Sequence, residues 1–223
     1  YHDMKDHLSV LRRIHPAFRL AVLTGLSAWS ALCGTAAPLR VATFRCDVTP
    51  WPGEALVWTP KLVKVEEPLL AKGIVLEAGT NRYVLCSLDW CLLGNESELA
   101  FRKALAGAAG TDPTRVAVQC IHQHAAPYAD EGAHRLLDAA PSPLPHLSAK
   151  FLDSVQGRLA GAVQEAVGRL EPFDSVGTGQ VKVDRVASAR RIRDEKGQLV
   201  TRWSSSAKDP KMAAAPEGPI DPW

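Results

Sequence analysis

His122 and His124, two positions apart, are the pair in this chain whose type and spacing best suit chemistry. They close the stretch Val116-Ala117-Val118-Gln119-Cys120-Ile121-His122-Gln123-His124-Ala125-Ala126-Pro127. Its β-branched opening predicts a buried strand, and the small residues and Pro127 end it. In extended backbone, residues two apart project from the same side. Both imidazoles are therefore expected to leave the strand end together, into a loop-lined cleft. A neutral imidazole is a good zinc ligand, and a rigid backbone holds such a pair in place. The plain alternative is two histidines hydrogen-bonded at a sheet terminus. Cys120 has the same parity and reads either as a third ligand or as a small buried hydrophobe. Tyr128, Asp130 and Glu131 follow closely and either line a substrate mouth or cap the next turn. His134 and His146 lie in loops nearby, and each by itself reads as a surface histidine.

The elements that must carry this pair can be traced in order. Leu39 to Asp47 predicts a strand, stopped by Val48-Thr49-Pro50-Trp51-Pro52-Gly53. Leu70–Glu77 and Arg82–Leu88 read as a hairpin around Ala78-Gly79-Thr80-Asn81, and the nearly all-apolar second arm reads as a central strand ending at Asp89 and Trp90. Asn95-x-x-Glu98 has capping-box spacing and opens a helix with Phe101, Ala104, Leu105 and Ala108 on one face, ending at Gly110. Strand, helix and strand then alternate, and a right-handed crossover makes the two strands parallel neighbours. Asp89 and His122 thereby fall at the carboxyl ends of adjacent strands, where open α/β sheets place their ligands. Ala139 to Pro145 is a Pro-rich connection to a helix from about Ala149 to Leu170, whose Leu152, Val155, Leu159, Val163, Ala166 and Leu170 form a core stripe. Strands are expected over 173–183, 185–192 and through Trp203, with a polar, Pro-rich tail after that. The expected class is α/β, a mixed sheet with flanking helices.

The totals narrow the function. The 223 residues suffice for a sizeable core. Residues 1–36 carry Lys5, Arg12, Arg13 and Arg19 against Asp3 and Asp6, so the remainder is balanced at net zero. A neutral body gives no support for nucleic acid or for an anionic membrane surface as a partner. The uncharged, mostly apolar run Leu20 to Leu32 is too short to span a bilayer and suits the core of an export signal, with Gly34-Thr35-Ala36 at the cleavage positions. The reading is a signal peptide over 1–36 and a secreted or periplasmic mature chain over 37–223 without a transmembrane segment. Cys46, Cys86, Cys91 and Cys120 remain, an even number that permits disulfides in three connectivities. Ser205-x-x-Lys208 lacks the companion motifs of penicillin-binding enzymes, and no nucleophile elbow, Walker loop or His-Glu-x-x-His occurs.

Taken together, Cys46-Asp47-Val48-Thr49-Pro50, Leu88-Asp89 and Ile121-His122-Gln123-His124-Ala125-Ala126-Pro127 resemble the N-terminal domain of the neutral/alkaline, non-lysosomal ceramidases, bacterial exported forms in particular. Ile220-Asp221-Pro222 resembles the lead-in to that family's next core strand, so the resemblance covers about 39–223. It implies zinc-dependent cleavage of the amide bond of ceramide or a related N-acyl lipid. It implies His122 as a zinc ligand, His124 beside the metal as a catalytic residue holding substrate or transition state, and Asp89 and Tyr128 as supporting residues. Gln123, Ala125 and Ala126 stand where the family has Thr, Ser and Gly, which changes the polarity and bulk of the rim. The family's remaining ligands and its active-site Ser fall beyond Trp223, so the chain is expected to be the truncated N-terminal part of a larger catalytic domain, inactive by itself. The alternatives are a related metallohydrolase with another amide or ester substrate and a non-catalytic exported binding protein.

Overall fold

The computed structural model describes residues 37–183, 187–203 and 208–221. The expected leader over 1–36 lies outside them. The described residues divide into a larger unit ending at Asp174 and a smaller one from Ser175.

The larger unit is a mixed α/β layer structure. Its five-stranded sheet has the order β5-β3-β2-β1-β7, where β1 is Leu39–Asp47, β2 Leu70–Ala78, β3 Asn81–Leu88, β5 Val116–Cys120 and β7 Glu171–Phe173. β1, β2 and β3 pair antiparallel, with Phe44 opposite Gly73 and Gly73 opposite Cys86. β5 pairs parallel to β3, with Leu88 opposite Cys120. That parallel pair is joined by helix α1, Asn95–Ala109, as the alternation of elements requires. α1 ends on Gly110 in the left-handed region at φ 64, and the Gly110 N–H is donated back to Ala106 and Gly107 carbonyls.

Strand parity sets the core. Ala42 and Phe44, Ala71 and Val75, Val84, Cys86 and Leu88, and Val116 face inward and are buried. Gly73 shares that face, and a Cβ there would run into the Leu85 carbonyl and the Phe44 ring, so the ring occupies the space a side chain would take. α1 contributes Phe101, Leu105, Ala106 and Ala109 to this core. Helix α3, Ala149–Val167, contributes Phe151, Leu152, Val155, Leu159, Val163 and Ala166, the expected stripe with one aromatic added. It is capped by Ser148, whose hydroxyl accepts from the Phe151 N–H at 3.2 Å and is itself tied to Glu54.

Several local expectations change. α1 is preceded by Gly94 with no side-chain cap. Asn95 adopts φ 47 and donates its amide to Asp130 instead, so the capping-box spacing is used for a tertiary bond. Residues 131–138 form a helix, α2 (Glu131–Asp138), capped by Asp130, whose carboxylate accepts from the Ala133 N–H at 3.2 Å. The strand expected over 173–183 is not formed: β7 ends at Phe173, and residues 174–183 are not in a strand. Two short strands complete the larger unit, β4 (Leu92–Leu93) and β6 (Tyr128–Ala129), paired parallel.

The smaller unit holds a hairpin of β8 (Arg191–Arg193) and β9 (Leu199–Thr201), turned on Gly197 at φ 76, and a short helix α4 (Pro210–Ala214) capped by Asp209. Arg202 binds it together by donating to the carbonyls of Ala189 and Ala215, both at 3.0 Å. Among the described residues no helix is long and apolar enough to cross a membrane.

Candidate metal centre

The chemistry-bearing residues meet at the carboxyl ends of β3 and β5. Parallel pairing brings both ends to one edge, and the pairing continues past the strands. The Ile121 N–H is donated to the Leu88 carbonyl and the His122 N–H to the Trp90 carbonyl, each at 3.1 Å. Trp90 anchors this edge. It is fully buried, packs edge-on against Phe101 at 5.7 Å, and donates its indole N–H to the Val48 carbonyl at 3.0 Å. Cys91 follows it, buried, with its N–H donated to the Pro127 carbonyl at 2.9 Å. The loop 121–127 is therefore pinned at its start by Trp90 and at its end by Cys91.

Within that loop His122 takes φ 64, a left-handed conformation uncommon for a side-chain-bearing residue. The extended geometry expected to persist through His124 stops here. The imidazoles still converge, because the turn at His122 replaces strand parity as the device that aims them. The two rings stand edge to face with centroids 5.2 Å apart. His122 Nδ1 lies 2.9 Å from the Cys91 carbonyl oxygen and 3.6 Å from the Cys91 Sγ. The His124 ring meets the exposed Trp58 edge-on at 5.9 Å. One donor atom each from Cys91, His122 and His124 lies within 4.8 Å of the other two.

Asp89 lies on the same edge, in a backbone role. Its carboxylate accepts from the Leu70 N–H at 2.9 Å, its own N–H is donated to the Leu70 carbonyl, and its carbonyl accepts the Gln123 amide at 2.6 Å. It thus ties β3 to the start of β2 and steadies the residue between the two histidines. Tyr128 is half-exposed on β6 and lines a cavity of about 260 Å³ with His134 and His146. Cys120 lies on the inner face of the sheet, and burial, with Cys91 nearby, pushes its thiol up to about 11. Burial likewise raises the Cys91 thiol. None of the four described cysteines is joined to another.

His134 and His146 are not the surface residues their loops implied. Their rings stack at 4.4 Å, His134 is buried, and His146 Nε2 meets the Asp138 carboxylate at 2.9 Å. They stand apart from the Cys91, His122 and His124 group. Cys91 is the residue that sequence reasoning passed over. Cys91 lies two residues beyond Asp89, past the same end of β3.

Two imidazoles and a thiol are a donor set for zinc or a similar borderline cation, rather than for magnesium or calcium. A groove of about 360 Å³ adjoins the pair, with Leu56, Leu62 and Leu69 and the charged Lys64, Glu66 and Glu67 in its lining beside Gln123 and Ala125, the neighbours of His124.

No protein-family model and no curated protein sequence matches this chain. Among solved structures the chain is similar to the neutral ceramidase from Pseudomonas aeruginosa, with a TM-score of 0.45 and 16% identity over 62% of this chain and 23% of that one. It is also similar to a ceramidase complexed with C2, with a TM-score of 0.45 and 17% identity over 60% of this chain and 22% of that one. The chain spans under a quarter of either structure.

Proposed function

We propose that this chain is the N-terminal part of an exported, zinc-dependent hydrolase of the ceramidase type, acting on the amide bond of an N-acyl lipid. The observation that carries the reading is the convergence of His122 and His124 at the shared end of β3 and β5, in the His-x-His…Pro segment that resembles the family's. His122 is a zinc ligand, and His124, exposed beside it, is the catalytic residue that faces substrate. Bound zinc supplies Lewis acidity that polarises an acyl carbonyl and activates water near neutral pH. The chain's own residues do the rest. Trp90 and Cys91 fix the loop through their backbone groups, Asp89 holds Gln123, and the groove beside Gln123 and Ala125 offers an apolar wall of leucine and valine next to the charged Lys64, Glu66 and Glu67.

A catalytic zinc site needs about three protein ligands. The family resemblance places further ligands beyond Trp223, and on that reading this chain alone is inactive. A second reading, a related hydrolase with another amide or ester substrate, is favoured by one feature, the replacement of a Thr, Ser and Gly rim by Gln123, Ala125 and Ala126. The test is metal content of the full-length protein, purified without chelator or nickel affinity, by elemental mass spectrometry. Near one zinc per chain, lost in His122→Ala with folding intact, supports the reading, and hydrolysis of N-acyl lipids against simple esters then chooses between the two substrate classes. Wild-type zinc in His122→Ala refutes the ligand assignment.

A further inference from the structure

We infer that Cys91 is a protein ligand to the same metal as His122, a thiolate beside the imidazole in the shell of a soft-to-borderline divalent cation, with His124 within reach of the ion. The inference rests on the proposed metal role of His122 and adds to it a thiolate that the His-x-His motif does not contain.

The geometry points there in three ways. Tetrahedral bonds of zinc length hold neighbouring N and S donors about 3.3–3.6 Å apart. One donor atom of each of Cys91, His122 and His124 lies within 4.8 Å of the other two, so closing on an ion needs only side-chain shifts of about an ångström. Second, the three residues approach from different sides. Cys91 is buried and reaches the site from the core, whereas both histidines are exposed. An ion held between them is backed by protein and open toward solvent, the arrangement that leaves a position for water or substrate. Third, the Cys91 backbone is fixed on both sides, by its N–H on the Pro127 carbonyl and its carbonyl against His122 Nδ1. Where Nδ1–H is donated to that carbonyl, the bond sets the tautomer that leaves Nε2 as the metal-binding nitrogen, the usual support of a ligating histidine.

Cys91 is not in a disulfide. Cys120, the other cysteine near the edge, belongs to the inner face of the sheet with Cys86 and packs against the core. A thiolate in the shell also shifts metal choice toward zinc and cobalt and away from magnesium, calcium and manganese.

The experiment is titration of the full-length, metal-free protein with Co2+ under reducing conditions, read by absorption, with X-ray absorption of the zinc-loaded wild type as a measurement that needs no variant. The expected result is a near-ultraviolet sulfur-to-cobalt charge-transfer band in wild type and in Cys120→Ser, lost in Cys91→Ser while the weaker ligand-field bands persist. One sulfur in the zinc shell is expected by X-ray absorption. Cobalt binding without that band, together with a zinc shell of nitrogen and oxygen only, overturns the role of Cys91 and leaves His122 as a ligand. No cobalt or zinc binding at all overturns the His122 reading and this one with it. If Cys91→Ser loses its circular dichroism, the shell composition of the wild type decides.

Discussion

Replacing His122 by alanine and, separately, by glycine distinguishes what its side chain does from what its backbone costs. The residue sits at φ 64, where an L-residue is disfavoured by roughly 1–2 kcal/mol. Two bonds hold it there, its N–H on the Trp90 carbonyl at 3.1 Å and its Nδ1 against the Cys91 carbonyl at 2.9 Å. Alanine loses the imidazole and retains the unfavourable backbone. Glycine loses the imidazole and relieves the backbone, at an entropic cost of about 0.5–1 kcal/mol. The metal-free glycine variant should therefore be more stable than the metal-free alanine variant by about 0.5–1 kcal/mol. With a urea slope of about 2 kcal/mol/M, the midpoints should differ by roughly 0.3–0.5 M. The comparison is made in chelator, since metal would stabilise the wild type alone, and both variants should fail to retain zinc. An alanine variant as stable as the glycine variant, at equal slopes, refutes the left-handed turn and with it the device that aims the two imidazoles.

Three further outcomes are expected. Trp90→Phe removes the indole donor from the buried Val48 carbonyl and loosens packing against Phe101, so it should cost about 2–4 kcal/mol in denaturant unfolding; a loss below about half a kcal/mol would show that the indole does not anchor the edge. Gly73→Ala drives a methyl into the Phe44 ring and the Leu85 carbonyl and should destabilise the sheet by about 1–3 kcal/mol or more, whereas Gly107→Ala, with open space around its Cβ position, should not. The stacked histidines should titrate apart. Burial and the neighbouring His146 lower His134. For His146 burial also opposes the charge, but the Leu147 carbonyl and the Asp138 carboxylate outweigh it and the net shift is upward. The stabilisation from His146 is thus full in acid and lost as pH rises through its folded pKa, while that from His134 is present above the ordinary histidine value and lost as pH falls through its folded pKa. NMR titration should find His146 protonating at the higher pH, with Asp138→Asn narrowing the gap; the reverse order in the wild type would refute the assignment.

The parts of the fold that were legible in the sequence are those where one periodicity governs. β1, the β2–β3 hairpin, β5 and the α3 stripe follow from alternation or helical spacing over eight or more residues, or from a β-branched run with a clean stop. Of the two readings of Asp130, substrate mouth or cap, the structure shows the cap, but the helix it opens was hidden because the eight residues of α2 are too few for a helical period to stand out. Asn95 carries the right residue type for a cap and uses it on Asp130 across the structure, a tertiary choice that spacing does not encode. The candidate centre was half legible. The end of β5 is legible as the His122 edge, but strand parity does not carry on to His124, because His122 turns at φ 64. Cys91 was missed because no motif links it to a histidine 31 residues away; only the parallel pairing of β3 and β5 does.

That pairing has a kinetic consequence. The β2–β3 hairpin closes over two residues, whereas β5 can dock on β3 only after the whole of α1 has been spanned, making it one of the less local and slower contacts of the sheet. Cys91 precedes the crossover and both histidines follow it. A nascent chain extruded as far as α1 holds one of the three donors and nothing to share a cation with. On the proposed metal role, an ion would be received only after β5 has docked on β3, and would not nucleate folding as the metal of a zinc finger does.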